Sequence, residues 1–248
     1  MISISVVSHA QAGLVHLLLS DLAGISRETN FEVILTKNIP EQLPFAIDAY
    51  PFSIRVIENQ APKGFGANHN QAFISVSGAY FCVMNPDIRL TENPFPKLLP
   101  ILRNENVGIV APQVMSTNGA IEDSVRRFPT PLGLIAKLFG LSDGRYAVPP
   151  NGKSYQADWV GGMFMLFRSD IYRLLHGFDE SYFLYYEDVD ICTRMWKTGW
   201  KVVANPEASV THDARRTSRH DVRYIRWHVE SMARYFIKHC WCLPRTSR

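Results

Sequence analysis

Short apolar runs alternate with helical spacings through the first half of the chain, and that alternation predicts an α/β fold with a parallel sheet. Residues 2–7 predict a first strand, and Leu14, Leu17, Leu18 and Leu22 then recur at helical spacing. Residues 31–35 and 54–57 predict the second and third strands, with a helix over 67–76. Residues 79–84 are almost wholly apolar, as expected of a strand buried on both faces, and the run ends in Asn85-Pro86-Asp87. A helix over 95–102 and a strand over 107–111 follow, and Asn118-Gly119 between Val114 and Ile121 marks a hairpin.

The second half changes character. Residues 145–156, with Pro149-Pro150 and Asn151-Gly152, read as a polar loop without periodicity. A strand over 159–167 contains Gly161-Gly162, a short helix covers 169–175, and a further helix starts near Glu187 with Val189, Cys192, Met195 and Trp196 as its buried stripe. Val222, Ile225, Val229, Met232, Phe236, Ile237 and Cys240 recur at spacings of three and four, which predicts an amphipathic helix of about five turns. Two readings stand for it: a helix closing the core with a solvated basic face, or a peripheral anchor on an anionic membrane. The chain has no internal repeat and no low-complexity tract.

With 46% apolar and 20% charged residues, the 248-residue chain can bury a full core. The net charge of +3 hides a split: residues 213–248 hold nine Lys and Arg against three Asp and Glu, so residues 1–212 are net −3. An acidic body excludes nucleic acid as partner, and the tail's aromatics fall at helical rather than stacking-platform spacing. Four cysteines make no disulfide framework, which points to a reducing compartment, and Cys240-Trp241-Cys242 lacks a second pair at zinc spacing. No apolar run reaches the roughly 18 residues of a spanning helix, and the start lacks a basic leader, so a soluble or peripheral protein is expected.

Candidate chemistry gathers at a few places. Asp87 follows a buried strand, and in open α/β sheets ligands bind beyond the carboxyl ends of strands. Tyr186-Glu187-Asp188-Val189-Asp190 puts three carboxylates into one helical turn, with Asp188 pointing about 100° away from Glu187. They complement the helix dipole, or they raise one another's pKa values to serve as a general base or cation site. His212 could join Asp87 in a mixed oxygen and nitrogen site for Mg²⁺ or Mn²⁺. The stretch Lys63-Gly64-Phe65-Gly66 precedes a helix; it is neither a dinucleotide fingerprint nor a Walker A loop. It reads as a tight turn or as a place where a ligand's phosphate or sugar approaches backbone N–H groups. Arg126 and Arg127 read as a diphosphate clamp or as solvated surface arginines. Gly-x-Ser-x-Gly and His-Glu-x-x-His are both absent, which removes the commonest hydrolase readings.

The order Val6-Val7-Ser8-His9, Gly64-Phe65-Gly66, Asn85-Pro86-Asp87-Ile88, Ser124-Val125-Arg126-Arg127-Phe128-Pro129, Asp158-Trp159-Val160-Gly161-Gly162, Gly177-Phe178-Asp179-Glu180, Glu187-Asp188-Val189-Asp190 and His212 resembles the bacterial rhamnosyltransferases of glycosyltransferase family 2, particularly those building lipopolysaccharide O-antigen. The resemblance implies a GT-A fold, with a Rossmann-like, mostly parallel central sheet flanked by helices. It implies a nucleotide-sugar-binding half over 1–112, an acceptor-binding catalytic half over 113–212, and a basic helical extension over 213–248. Asp87 then takes the place of the metal-binding Asp of the DxD motif. In related galactofuranosyltransferases a His 24 positions after the catalytic Asp ligates the metal, and His212 stands 24 positions after Asp188. Asp188 is thereby the expected base and His212, with Asp87, the expected ligand of a divalent Mg²⁺ or Mn²⁺.

The same resemblance implies an inverting transfer of L-rhamnose from dTDP-L-rhamnose to a polyprenyl-diphosphate-linked saccharide, at the cytoplasmic face of the membrane. Ser8, Lys37, Gly64, Gly66, Asn70, Asn85, Arg126, Arg127, Gly162 and Glu187 are the expected substrate-binding residues. Trp159 joins them in the acceptor region, where an aromatic face stacks on a sugar; the alternative is a core tryptophan. One departure matters: the family's second strand usually ends in Val-Asp-Asn, whose Asp accepts from the base, and here Lys37 stands in that place. Lysine cannot accept a hydrogen bond. Base recognition then comes from backbone, Thr36 or Asn38, or the nucleotide differs. A degenerate domain that binds nucleotide sugar or glycan without turnover is the remaining alternative.

Overall fold

The computed structural model describes residues 1–141, 144–146, 149, 152–213, 222–239, 242–244 and 246. The first half builds β1 (Ile2–Ser8), α1 (Ala12–Ile25), β2 (Phe31–Lys37), β3 (Ile54–Glu58), α2 (Phe65–Phe73), β4 (Tyr80–Met84), β5 (Ile88–Arg89), α3 (Phe95–Leu102) and β6 (Val107–Ser116). The second half adds β7 (Val125–Arg126), α4 (Pro131–Leu138), β8 (Tyr155–Gln156), β9 (Trp159–Val160), β10 (Phe164–Arg168), α5 (Ser169–Leu174), α6 (Glu187–Lys197), β11 (Lys201–His212) and α7 (Val222–His239).

A nine-stranded sheet runs in the order β3-β2-β1-β4-β10-β6-β11-β5, with β8 on β11. The ladders β3-β2-β1-β4 are parallel, as is β6 with β11. Strand β10, from the second half, inserts antiparallel between β4 and β6, so one sheet interleaves both halves of the chain. In β4 the period of two sends Cys82 and Met84 to one core and Phe81 and Val83 to the other. The first core lies under α1 and α3. The second, rich in rings, lies under α5, α6 and α7, where Phe81, Phe167, Tyr172 and Phe178 meet edge to face or tilted. Beneath α2, β1 presents serines instead, and Ser5 bonds the buried His69 at 2.8 Å. Burial pushes the His69 imidazole down to about 3, so it stays neutral.

Several expectations change. Leu17 faces outward from α1, whose buried side is Leu14, Val15, Leu18, Leu19, Leu22 and Ile25. Strand β6 extends to Ser116 because β11 pairs along it as far as Ser116 opposite His212. The run expected as one strand over 159–167 breaks at Gly161-Gly162 into β9 and β10, which join different sheets; β9 pairs with β7 alone. The polar segment over 145–156 ends in β8 on β11, and its residues 147, 148, 150 and 151 lie outside the described part.

The largest correction concerns α7. Its apolar set is divided: Met232 and Phe236 pack against the second core, whereas Val222 and Ile237 are 76% exposed, Ile225 58% and Val229 52%. The docked side is Ser231, Tyr235 and His239. Tyr235 meets Thr193 of α6 at 3.0 Å, and Ser231 donates to the Leu184 carbonyl. Rings with polar tips can satisfy buried hydrogen bonds while filling space, which an aliphatic stripe over α6 could not. Cys240 and Trp241 lie outside the described residues; Cys82 and Cys192 are buried free thiols.

Candidate active site

The site forms where the N-terminus of α6 meets the turn between β9 and β10. Tyr185 and Tyr186 enter α6 with left-handed backbone, φ 70° and 67°. Such strain persists only where packing over-determines it, and both rings pack on His228 of α7. The three carboxylates of this turn then diverge. Asp188 is partly exposed in a cleft and accepts from two main-chain N–H groups, Val189 at 2.8 Å and Gly162 at 3.1 Å. Burial raises its pKa above the ordinary aspartate range despite those bonds. Glu187 is buried with Oε2 lacking a hydrogen-bond partner; desolvation first, and then the Asp188 charge, push it well above its ordinary value. Asp190 is fully buried, and burial opposes its charge, but contacts from His239, Arg194 and Lys238 outweigh that and hold it low.

A second group forms at the other end of the same turn. The Asn85 N–H donates to the Met163 carbonyl at 2.9 Å, which fixes Asn85-Pro86-Asp87 beyond the end of β4. Pairing of β5 with the last residues of β11 puts Ile88 opposite His212, and brings His212 Nε2 to 3.2 Å from Asp87 Oδ2. Glu122 lies 3.9 Å from the other ring nitrogen. Burial opposes protonation of His212, but Asp87 and Glu122 overcome it and raise its pKa. Asp87 Oδ1 and His212 Nδ1 are buried without hydrogen-bond partners. A carboxylate and an imidazole 3.2 Å apart, each keeping one buried polar atom without a partner, are a donor set of the kind that Mg²⁺ or Mn²⁺ takes.

The cleft over Asp188 has a volume of about 560 Å³, and Arg126, Arg127, Trp159, Glu187 and His228 share its walls. The β7–β9 register sets Arg126 opposite Trp159. Trp159 donates its indole N–H to the Arg127 carbonyl, and its half-buried ring both packs against the second core and borders the cleft. Arg126 pairs with Asp123 at 2.9 Å. Asp158 supports this wall by accepting from the Phe128 N–H and the Tyr146 hydroxyl.

The remaining expected residues lie along the strand ends of the first half. Ser8 ends β1 and its hydroxyl accepts from the Gln11 N–H. Lys37 pairs with Glu58 at the end of β3, 2.8 Å away, and both line a separate open cleft of about 410 Å³ with Glu41, Gln42 and Asn59. The glycines of the loop before α2 answer to close packing: a Cβ on Gly64 would lie 2.6 Å from the Phe183 carbonyl oxygen, and one on Gly66 2.6 Å from Phe178 Cβ. Gly162 packs against the Phe65 ring in the same way. Asn70 commits its amide internally, accepting from the Tyr172 hydroxyl and the Phe178 N–H and donating to the Phe178 carbonyl and Glu180.

Sequence reasoning missed Glu58, Glu122, Asp158 and His228. It named Asn38 but missed its amide partners: Asn59 donates to Asn38 and Asn68, while Asn38 clasps the Lys63 backbone from both sides. Asn59 follows the end of β3 as Asn38 follows the end of β2, which is the one signal that could have found it.

This sheet is shared with solved glycosyltransferases of the GT-A fold. The mannosyltransferase PcManGT from Pyrobaculum calidifontis, in complex with GDP-Man and Mn²⁺, superposes with a TM-score of 0.66 at 14% identity, over 96% of this chain and 64% of that one. GalNAc-T7 with UDP, GalNAc and Mn²⁺ gives 0.65 at 13% identity, over 87% and 44%. The chain thus spans between under half and under two thirds of these solved proteins. Residues 38–229 match the family described as glycosyltransferase like family 2, and the chain belongs to it. It is 26% identical to the rhamnosyltransferase WbbL of Escherichia coli K12 over 96% of this chain and 93% of that protein. It is also 26% identical to the N-acetylglucosaminyl-diphospho-decaprenol L-rhamnosyltransferase of Mycobacterium tuberculosis, over 75% of this chain and 67% of that protein. The protein is a glycosyltransferase.

Proposed function

We propose that the protein is an inverting glycosyltransferase that moves L-rhamnose from a nucleoside diphosphate to a polyprenyl-diphosphate-linked saccharide, with Asp188 as the base. The observation that carries this is the Asp188 carboxylate: open to the cleft, fixed by two main-chain donors, and raised in pKa. A carboxylate so held has no rotamer to lose when it takes a proton. Burial and the neighbouring Asp188 charge disfavour ionisation of Glu187, whereas the Asp188 carboxylate keeps two main-chain donors. The names of the two rhamnosyltransferase relatives support the sugar and the lipid-linked acceptor.

In the reaction, the acceptor hydroxyl oxygen forms its bond to the anomeric carbon as the bond from that carbon to the diphosphate oxygen breaks, with inversion. Asp188 receives the hydroxyl proton. Arg127 and Trp159, on the cleft wall, orient the acceptor, the indole offering a flat face to a sugar. Asp87 and His212 would hold the divalent cation. When bound, the cation neutralises charge developing on the leaving diphosphate. Lys37 and Glu58 form an ion pair in the open cleft at the ends of β2 and β3; in this reading that cleft takes the base, the ammonium donating to a base carbonyl and Glu58 accepting where the family's aspartate would. Such a donor and acceptor pair complements thymine or uracil, with N3–H between two carbonyls, and equally guanine, with N1–H beside O6.

A panel of nucleotide sugars, assayed with and without synthetic lipid-linked acceptor for sugar transfer and nucleotide release, tests the proposal. Transfer from dTDP-rhamnose, abolished by Asp188→Asn with donor binding retained in calorimetry, is the expected result. Full transfer by Asp188→Asn overturns the base, and binding without nucleotide release in the presence of acceptor points to a domain without turnover.

A further inference from the structure

Half of the exposed large apolar side chains among the described residues fall on α7, at the start of α4 and just past its end. On α7 they are Val222, Ile225, Val229 and Ile237, whose spacing puts them along one outward stripe. At α4, Leu132 is 79% exposed, and Phe139 and Leu141 just beyond it are 75% and 80% exposed. The start of α4 meets α7: Leu132 lines one cavity with Tyr235 and Phe236, and Gly133 and His228 both line the Asp188 cleft. The apolar region therefore borders the mouth of the cleft.

Charge accompanies it. Over its described length α7 carries Arg223, Arg226, Arg234 and Lys238 against Glu230 alone, a net +3. The three arginines are exposed beside the apolar stripe. A helix with aliphatic residues outward and arginines flanking them suits an interface of acyl chains beneath anionic headgroups. No helix of the described residues is long and apolar enough to cross a membrane, so the contact is one of lying on the surface.

We infer that the α4–α7 face docks on an anionic lipid bilayer, seating the Asp188 cleft at the headgroup level where a lipid-linked diphosphate would present its sugar. The inference rests on the proposed acceptor for its orientation alone; bilayer contact itself is independent of the reaction. The occupant is set by the pairing of aliphatic side chains with excess positive charge, which a second copy of the same positive face would repel.

Sedimentation of the full chain with vesicles of phosphatidylglycerol and phosphatidylcholine, without substrates, tests it. The wild type should bind these vesicles, bind less as salt rises, and bind pure phosphatidylcholine weakly. Ile225→Glu/Val229→Glu/Ile237→Glu should lower partition by about tenfold or more. That variant should keep its circular dichroism and its transfer to a short water-soluble acceptor. Equal partition of wild type and variant overturns the inference, as does absence of wild-type binding. A wild-type dimer in lipid-free solution that this variant makes monomeric overturns it in favour of a second copy. Failure of transfer by a protein that partitions normally faults the acceptor and leaves the docking face standing.

Discussion

Asp188 and Asp190 stand two residues apart on one helix, yet their surroundings assign them opposite consequences on removal. Asp190 is fully buried; Arg194 Nε lies 2.7 Å from Oδ2, and Lys238 Nζ and His239 Nε2 lie 2.6 and 3.0 Å from Oδ1. Lys197 can only donate to His239 Nδ1, so His239 donates its Nε2–H to Asp190. Asp190→Ala leaves these donors without their acceptor, and breaking a buried pair from one side costs about 3–5 kcal/mol. At about 2–4 °C per kcal/mol for a chain of this size, the melting temperature should fall by roughly 6–20 °C. Asp188→Asn relieves a carboxyl whose charge burial disfavours, and should move the melting temperature by no more than about 2 °C. Differential scanning calorimetry at pH 7, with transfer measured on the same samples, makes the comparison. The sign with pH follows from the lowered pKa of Asp190: its contribution is present above the ordinary aspartate range and is lost as pH falls through the folded value. The gap between wild type and Asp190→Ala should therefore narrow in acid. An Asp190→Ala protein as stable as wild type, or an equal fall for Asp188→Asn, would refute this division of roles.

Three further outcomes are expected. The acid limb of kcat/KM should have its midpoint above the ordinary aspartate value of about 4, because Asp188 is raised; a rate constant down to that pH contradicts the base. Gly64→Ala should cost about 1–3 kcal/mol, since its Cβ would meet the Phe183 carbonyl, whereas Gly24→Ala in α1, with nothing within 4 Å, should be neutral or stabilising in urea denaturation. Asp87→Asn and His212→Ala should each weaken Mn²⁺-assisted nucleoside-diphosphate binding by about tenfold or more in calorimetry, and transfer that EDTA leaves undiminished would remove the cation from the scheme.

The strands around β1 and β4 were legible because their burial is decided locally, by runs that can only be two-sided core. Asp87 was legible for the same reason, as a carboxylate just past such a run. The direction of β10 was not: pattern does not distinguish parallel from antiparallel, and Gly161-Gly162 hid a change of sheet inside one apolar run. The divergence of Asp188 from Asp190 could not be read because the partners of Asp190 arrive 48 and 49 residues later, on α7. Periodicity found α7 but could not tell which of its apolar residues dock and which face outward. Its aliphatic spacing is real; what docks is the side where Ser231, Tyr235 and His239 have hydrogen-bond partners waiting on α6 and the loop before it.

The short turn at Gly161-Gly162-Met163 ties both ends of the site together through main chain alone, one bond to the Asp188 carboxylate and one to the Asn85 N–H. The spacing between the Asp188 carboxylate and the Asn85-Pro86-Asp87 turn is thus set by backbone, which side-chain substitution does not rewrite. Residues on the surrounding walls, such as Arg127, Trp159 and His228, can change identity without altering that spacing. Attempts to redirect this enzyme to another acceptor belong on those walls. A change at the turn itself would put the two carboxylates out of step for every substrate alike.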